Sequence, residues 1–145
     1  GECDGVLVIG KHPEKLALIG ALGIRTALLA DLPSDRVADL VVDCTGSSTG
    51  LPTALGLVRP RGSIVLKTTV AGAQPLPWAS IVIDEVTIVG SRCGPFDRAL
   101  AALEDHSVSV LPLISARFDL SDGVRALDAA KQRGALKVLI DVASD

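Results

Sequence analysis

Apolar residues come in short bursts along this chain, and glycine, proline or charge ends each burst. Val6-Leu7-Val8-Ile9 has no polar interruption, the texture of a strand buried on both faces, and it stops at Gly10. From Pro13, which suits a first helical position, Leu16, Ile19, Leu22 and Ile24 recur at helical spacing. Gly23 closes that helix, and Ile24 to Leu29 predicts a second strand. Asp31 to Arg36 is a polar connection too short for a crossover helix. Ala38 to Val42 predicts a third strand, which runs into Asp43-Cys44-Thr45-Gly46. A helix is expected from Leu51 to Val58 with Pro52 in its first turn, then a turn over Arg59-Pro60-Arg61-Gly62 and a strand from Ser63 to Leu66.

Lys67-Thr68-Thr69 opens a Gly/Pro-rich loop through Pro77, long enough to serve in binding. Ile81 to Ile83 fits a strand or a helix, and Val86 to Val89 predicts a fifth strand bounded by Gly90. Beyond Gly90 the texture changes. Phe96 to Leu103 reads as a helix with Leu100 and Leu103 inward, and Val108 to Leu111 and Leu113 to Arg117 read as short extended pieces. Asp122 to Lys131 reads as a helix capped by Ser121, and Leu136 to Val142 as a final strand. Strands alternating with helices call for an α/β fold with a parallel sheet. The expected division is residues 1–90 and residues 91–145.

With 145 residues, 48% hydrophobic and 21% charged, the chain has the composition of a folded domain. A net charge of -3 and the lack of any Lys/Arg cluster argue against a nucleic-acid partner, and Trp78, Phe96 and Phe118 are too few for base stacking. No apolar run reaches the roughly 18 residues a membrane helix needs. Cys3, Cys44 and Cys93 are scattered and suggest neither a disulfide framework nor a metal site, so they read as reduced thiols of a cytoplasmic protein. The chain has no methionine and opens on Gly1-Glu2-Cys3-Asp4 just before a strand, which predicts an internal or C-terminal piece of a longer polypeptide.

The first chemistry lies where the first strand meets the first helix. A helix N-terminus carries roughly half a positive charge of its own, so Lys11 and His12 beside it are in electrostatic conflict unless an anion sits there. In a dinucleotide-binding fold the residue at this strand tip reads the adenosine ribose. Gly10 leaves room and Lys11 and His12 supply charge for a 2′-phosphate, which favours NADP(H) over NAD(H). A solvated turn is the plain alternative for the same residues. Gly5, Gly10 and Lys11 also match part of a P-loop, but His12 stands where a magnesium-binding hydroxyl belongs and four aliphatic residues fill the phosphate cradle.

Taken together, VLVIGKHPEKLALIGALGI, DLVVDCTGS, LVRPRGSIVLKTT, DEVTIVGSRCG and GALKVLIDV resemble, in order, the cofactor domain and C-terminal part of the medium-chain, zinc-type alcohol dehydrogenase family. The resemblance implies a partial Rossmann-type doubly wound parallel sheet lacking its first strand and Gly-rich turn, within an NAD(P)-dependent oxidoreductase acting on alcohols or polyols. By the same resemblance Gly10, Lys11 and His12 read the adenosine phosphate, Lys15 contacts the neighbouring ribose, and Cys44, Thr45 and Gly46 pass under the nicotinamide ribose. The backbone of Lys67 and Thr68 flanks the nicotinamide, Val89, Gly90 and Ser91 lie at its carboxamide, and Lys137 reaches the pyrophosphate. Each could instead be a strand-end residue packing on its neighbours.

Zinc is expected only in a catalytic domain outside these residues, so hydride transfer is expected of the full-length protein and not of this piece alone. The implied partners are the dinucleotide, the remainder of the chain, and a second copy through the sixth-strand edge. With the central strand missing, the isolated piece is expected to aggregate or to re-pair its strands.

A different chemistry is also written here. Gly46-Ser47-Ser48-Thr49-Gly50 satisfies the G-x-S-x-G pattern of a hydrolase elbow between a strand and a helix. Ser48 would be the nucleophile, Asp84 or Asp97 the orienting acid and His106 the base. That reading leaves Gly10-Lys11-His12 unexplained, and no glycine-rich oxyanion loop precedes the serine. A nucleotide-binding module without chemistry of its own is a third reading.

Overall fold

The computed structural model describes residues 5–32, 35–72 and 75–142. These fall in two compact units, one within Gly1–Leu32 and Pro95–Asp145, the other within Pro33–Gly94. Every strand pair among the described residues is parallel.

In the first unit, β1 (Leu7–Gly10) pairs with β2 (Arg25–Leu28), and α1 (Pro13–Gly20) connects them. Leu16 is the buried residue of α1. A β-carbon on Gly10 would lie 3.1 Å from Leu16 Cδ2, so the glycine lets α1 close down on the strand end. The first helix is shorter than its apolar spacing suggests: Ala21 caps it, Gly23 turns left-handed at φ 79, and Ile24 belongs to the approach to β2.

Also in this unit are α4 (Phe96–Glu104), β6 (Ile114–Asp119), α5 (Gly123–Ala130) and β7 (Lys137–Asp141), with β6 paired to β7 and Ala126 of α5 buried. Three expectations are corrected here. Leu100 and Leu103 are 52% and 44% exposed, because no described element covers the apolar side of α4. Asp122, not Ser121, is the N-cap of α5, and Ser121 lies in a short 3-10 turn, Leu120–Asp122. The stretch before β6 closes as a 3-10 turn at Leu111–Leu113 where an extended piece was expected, since Pro112 suits the first turn of a helix better than a strand.

The second unit is a three-stranded sheet in the order β3-β4-β5, formed by Ala38–Asp43, Val58–Leu66 and Thr87–Gly90. The helix α2 (Gly50–Leu57) joins β3 to β4, and α3 (Trp78–Ile83) precedes β5, which settles the ambiguous Ile81 to Ile83 as helix. One row across the sheet, Val41-Ile64-Ile88, faces the core with Leu51, Ala54 and Leu55 of α2 and Ile81 of α3. The alternate row, Val42-Val65-Val89, faces the other way, and Val42 and Val89 are each 48% exposed.

The expected turn at Arg59 to Gly62 lies instead inside β4, as an irregularity between the Ala38–Val58 and Leu40–Ser63 pairs. The turn chemistry persists there: Arg61 is left-handed at φ 63, and a β-carbon on Gly62 would lie 2.6 Å from Val58 Cγ2. Arg36 ties the base of the sheet together, donating from Nη1 to Asp84 Oδ2 at 2.7 Å and from Nε to the Val58 carbonyl at 3.0 Å.

Candidate functional site

Ligands of open parallel α/β sheets bind beyond the carboxyl ends of the strands. In the first unit that position is the β1–α1 junction. His12 is the extended N-cap residue of α1, its carbonyl accepts from the amides of Lys15 and Leu16 at 3.1 Å, and no side chain caps the helix. The His12 Nδ1 atom is shielded from solvent without a hydrogen-bond partner, since the Glu14 carboxylate is 3.8 Å away, beyond hydrogen-bonding reach. Lys11 is exposed and lines a shallow hollow with Pro13, Leu28, Leu29 and Ala30. The exposed Lys11 ammonium, His12 and the Glu14 amide, the one first-turn N–H not bonded within the helix because Pro13 has none and those of Lys15 and Leu16 go to the His12 carbonyl, fit a phosphate beside an apolar hollow.

Glu14, in the first turn, offsets part of the positive end of the helix. Lys15 is committed elsewhere, donating from Nζ to the Ala135 carbonyl at 3.3 Å. Lys137 is exposed at the start of β7.

In the second unit the three strand tips lie side by side and are laced together. The Lys67 amide donates to the Asp43 carbonyl at 2.9 Å, and the Ser91 amide donates to the Leu66 carbonyl at 2.9 Å. Lys67 Nζ donates to the Arg92 carbonyl at 2.6 Å and lies 3.4 Å from the Ser91 hydroxyl, strapping the tip of β4 to the segment after β5. The structure thus brings Cys44, Thr45, Gly46, Lys67, Thr68, Gly90 and Ser91 to one end of the sheet, with Val89 one residue inside β5.

Sequence reasoning missed the residue at the centre of this end. Asp43 is 4% exposed, and its Oδ1 accepts from the Thr45 amide at 2.9 Å and from the Thr68 hydroxyl at 2.8 Å. The Gly46 amide in turn donates to Thr68 Oγ1 at 3.2 Å. Gly50 sits directly against the Asp43 carboxylate and the Thr45 hydroxyl, with no room for a β-carbon. The one available signal was an acidic residue ending the apolar run Leu40-Val41-Val42.

The elbow reading finds little in this geometry. A nucleophile elbow holds its serine on a strained turn, yet Arg61, Glu85 and His106 are the described non-glycine residues with positive φ, and Ser48 is not among them. Asp84 is paired with Arg36, and the Asp105 carboxyl beside His106 is turned to Ser107, whose backbone N–H and hydroxyl hold it below the usual carboxylate range. Ser48 is exposed, and among the described residues no hydrogen bond joins it to a histidine or a carboxylate. A fluorophosphonate probe is expected to leave Ser48 unmodified, as read by peptide mass spectrometry; stoichiometric capture would restore the hydrolase reading.

Parallel strands joined through helices, with polar residues gathered at their carboxyl ends, define an α/β protein of partial Rossmann type. Its fold is that of L-idonate 5-dehydrogenase from Escherichia coli K-12, with a TM-score of 0.86 at 21% identity over 96% of this chain and 43% of that one. A short chain alcohol dehydrogenase from E. coli CFT073, complexed with NADH, superposes with a TM-score of 0.83 at 19% identity, covering 96% of this chain and 45% of that one.

Residues 2–106 match the zinc-binding dehydrogenase family, and the chain belongs to it. Mouse sorbitol dehydrogenase is 30% identical over 104 residues, which are 70% of this chain and 29% of that protein. The chain therefore spans less than half the length of these relatives. Among the described residues no three His, Cys, Asp or Glu side chains gather to hold a metal ion, so they do not themselves fit a zinc site.

Proposed function

We propose that these residues bind a nicotinamide dinucleotide for an alcohol or polyol oxidoreductase of the zinc-type family, with NADP(H) preferred over NAD(H). The observation that carries the preference is the β1–α1 junction, where Lys11 and His12 stand at the start of the helix beside the free Glu14 amide. Lys11 and His12 hold the 2′-phosphate, and the hollow beside Lys11 receives the adenine face. The turn at Cys44 to Gly46 and the tips at Lys67, Thr68 and Val89 to Ser91 hold the nicotinamide end. Lys137 meets the pyrophosphate.

When bound, the dinucleotide supplies or accepts the hydride, and the residues here orient it. The Lys67 ammonium is occupied by the Arg92 carbonyl, so at that tip the backbone faces the ring. The Lys15 ammonium must leave the Ala135 carbonyl before it can reach a ribose. Hydride transfer, zinc and substrate choice belong to the full-length polypeptide, in the cytoplasm and as a homo-oligomer through the β5 edge, which corresponds to the family's sixth strand.

The Lys11→Asp variant tests the preference. A charge-assisted hydrogen bond contributes about 1.5–3 kcal/mol, so NADPH affinity is expected to fall roughly 10- to 100-fold in the full-length polypeptide, with NADH affinity far less affected. Equal losses for the two coenzymes, measured by fluorescence titration, would remove the case for a 2′-phosphate.

A further inference from the structure

Asp43 is a buried carboxylate with no part in the scheme above, yet both loops at the nicotinamide end hang from it. The connections run in one direction. The Gly46 N–H donates to the Thr68 hydroxyl, the hydroxyl donates to Asp43 Oδ1, and the same oxygen takes the Thr45 N–H. Thr68 has a single hydroxyl proton, so the 2.8 Å contact to Oδ1 takes it in preference to the 3.2 Å approach to the Asp43 carbonyl.

Two consecutive amides after β3 are thereby fixed by groups on β3 and on the loop after β4. Gly46 adopts φ 64, a conformation that needs such support to be the only one populated in a glycine. On the other side, Gly50 packs against the carboxylate so closely that a β-carbon there would overlap it.

We propose that Asp43 is a positioning residue: through the Thr68 hydroxyl it holds the 44–46 turn in the shape that receives the nicotinamide end of the dinucleotide. This rests on the function proposed above. It assigns the Thr68 side chain a task distinct from that of its backbone, and it makes the 44–46 turn preorganised instead of shaped by the ligand. Preorganisation lowers the ordering cost of binding, so its loss reads out as affinity.

The test compares Thr68→Val, which removes the hydroxyl at similar volume, with Thr68→Ser, which keeps it, in the full-length polypeptide. Three quantities are measured: the Kd for NADPH and NADH, backbone amide exchange by mass spectrometry, and the thermal midpoint. Thr68→Val is expected to weaken both coenzymes about tenfold and to speed exchange in peptides covering residues 44–50, while peptides from β4 keep their protection. Thr68→Ser is expected to recover most of both effects.

Coenzyme affinity and exchange in Thr68→Val equal to those of the parent would overturn the proposal. So would a general loss of protection including β4, since that marks a purely structural role. A parent that binds neither NADPH nor NADH overturns the underlying function and this assignment with it, and is recognised before any variant is made.

Discussion

Truncation of Ile64 to alanine is expected to destabilise the protein by about 2–5 kcal/mol, the range for deleting a large aliphatic side chain from a packed site. Ile64 is 0% exposed, in the middle strand of the three-stranded sheet, between Val41 and Ile88 in its row and beneath Ala54 and Leu55 of α2. The buried cluster around it is small, so few neighbours can move in to fill the space, which places the expected cost in the upper half of that range. The measurement is the shift in urea midpoint, with the denaturant slope checked for constancy. A loss under about 1 kcal/mol would mean that the centre of this core lies elsewhere.

Replacing Gly50 with alanine sets two effects against each other. Alanine is the better helix former by about 1 kcal/mol, and on that ground alone the change would stabilise α2. The added methyl group would, however, overlap the Asp43 carboxylate and the Thr45 hydroxyl, and overpacking of this kind costs about 1–3 kcal/mol. The steric effect should win, because the neighbour that must move is a buried charged group held by two hydrogen bonds and not the free end of an aliphatic chain. A net loss of up to about 2 kcal/mol is expected, accompanied by weaker dinucleotide binding. Gly56 in the same helix is the control. A β-carbon there meets nothing within 4 Å, so Gly56→Ala should be neutral or stabilising in the same melt. A stabilised Gly50→Ala would show that the carboxylate can shift freely.

The parallel α/β character was legible in the sequence because short aliphatic runs ending in glycine or acid leave few other options. So was the β1–α1 junction, where Pro13 marks the helix start and Lys11 and His12 stand just before it. What escaped depends on partners distant in sequence. The importance of Asp43 comes from Thr68, 25 residues away, and the two meet only because β3 and β4 pair in one register. The Lys67 strap to the Arg92 carbonyl depends on the next register in the same way. For α4 the spacing correctly gives one apolar side, but spacing carries no information about whether anything covers it, and Leu100 and Leu103 are open. At Arg59 to Gly62 the turn residues are real, but neighbouring β3 supplies pairing on both sides of them, so the chain continues as strand.

The two sides of the three-stranded sheet differ in more than their covering. Leu40, Val42 and Val89 hold water against hydrocarbon along the side opposite α2, and water so held is released whenever two such strips touch. Substitutions along this strip alter exposed hydrocarbon without touching the interior of the unit, so a change in solubility need not report a change in folding.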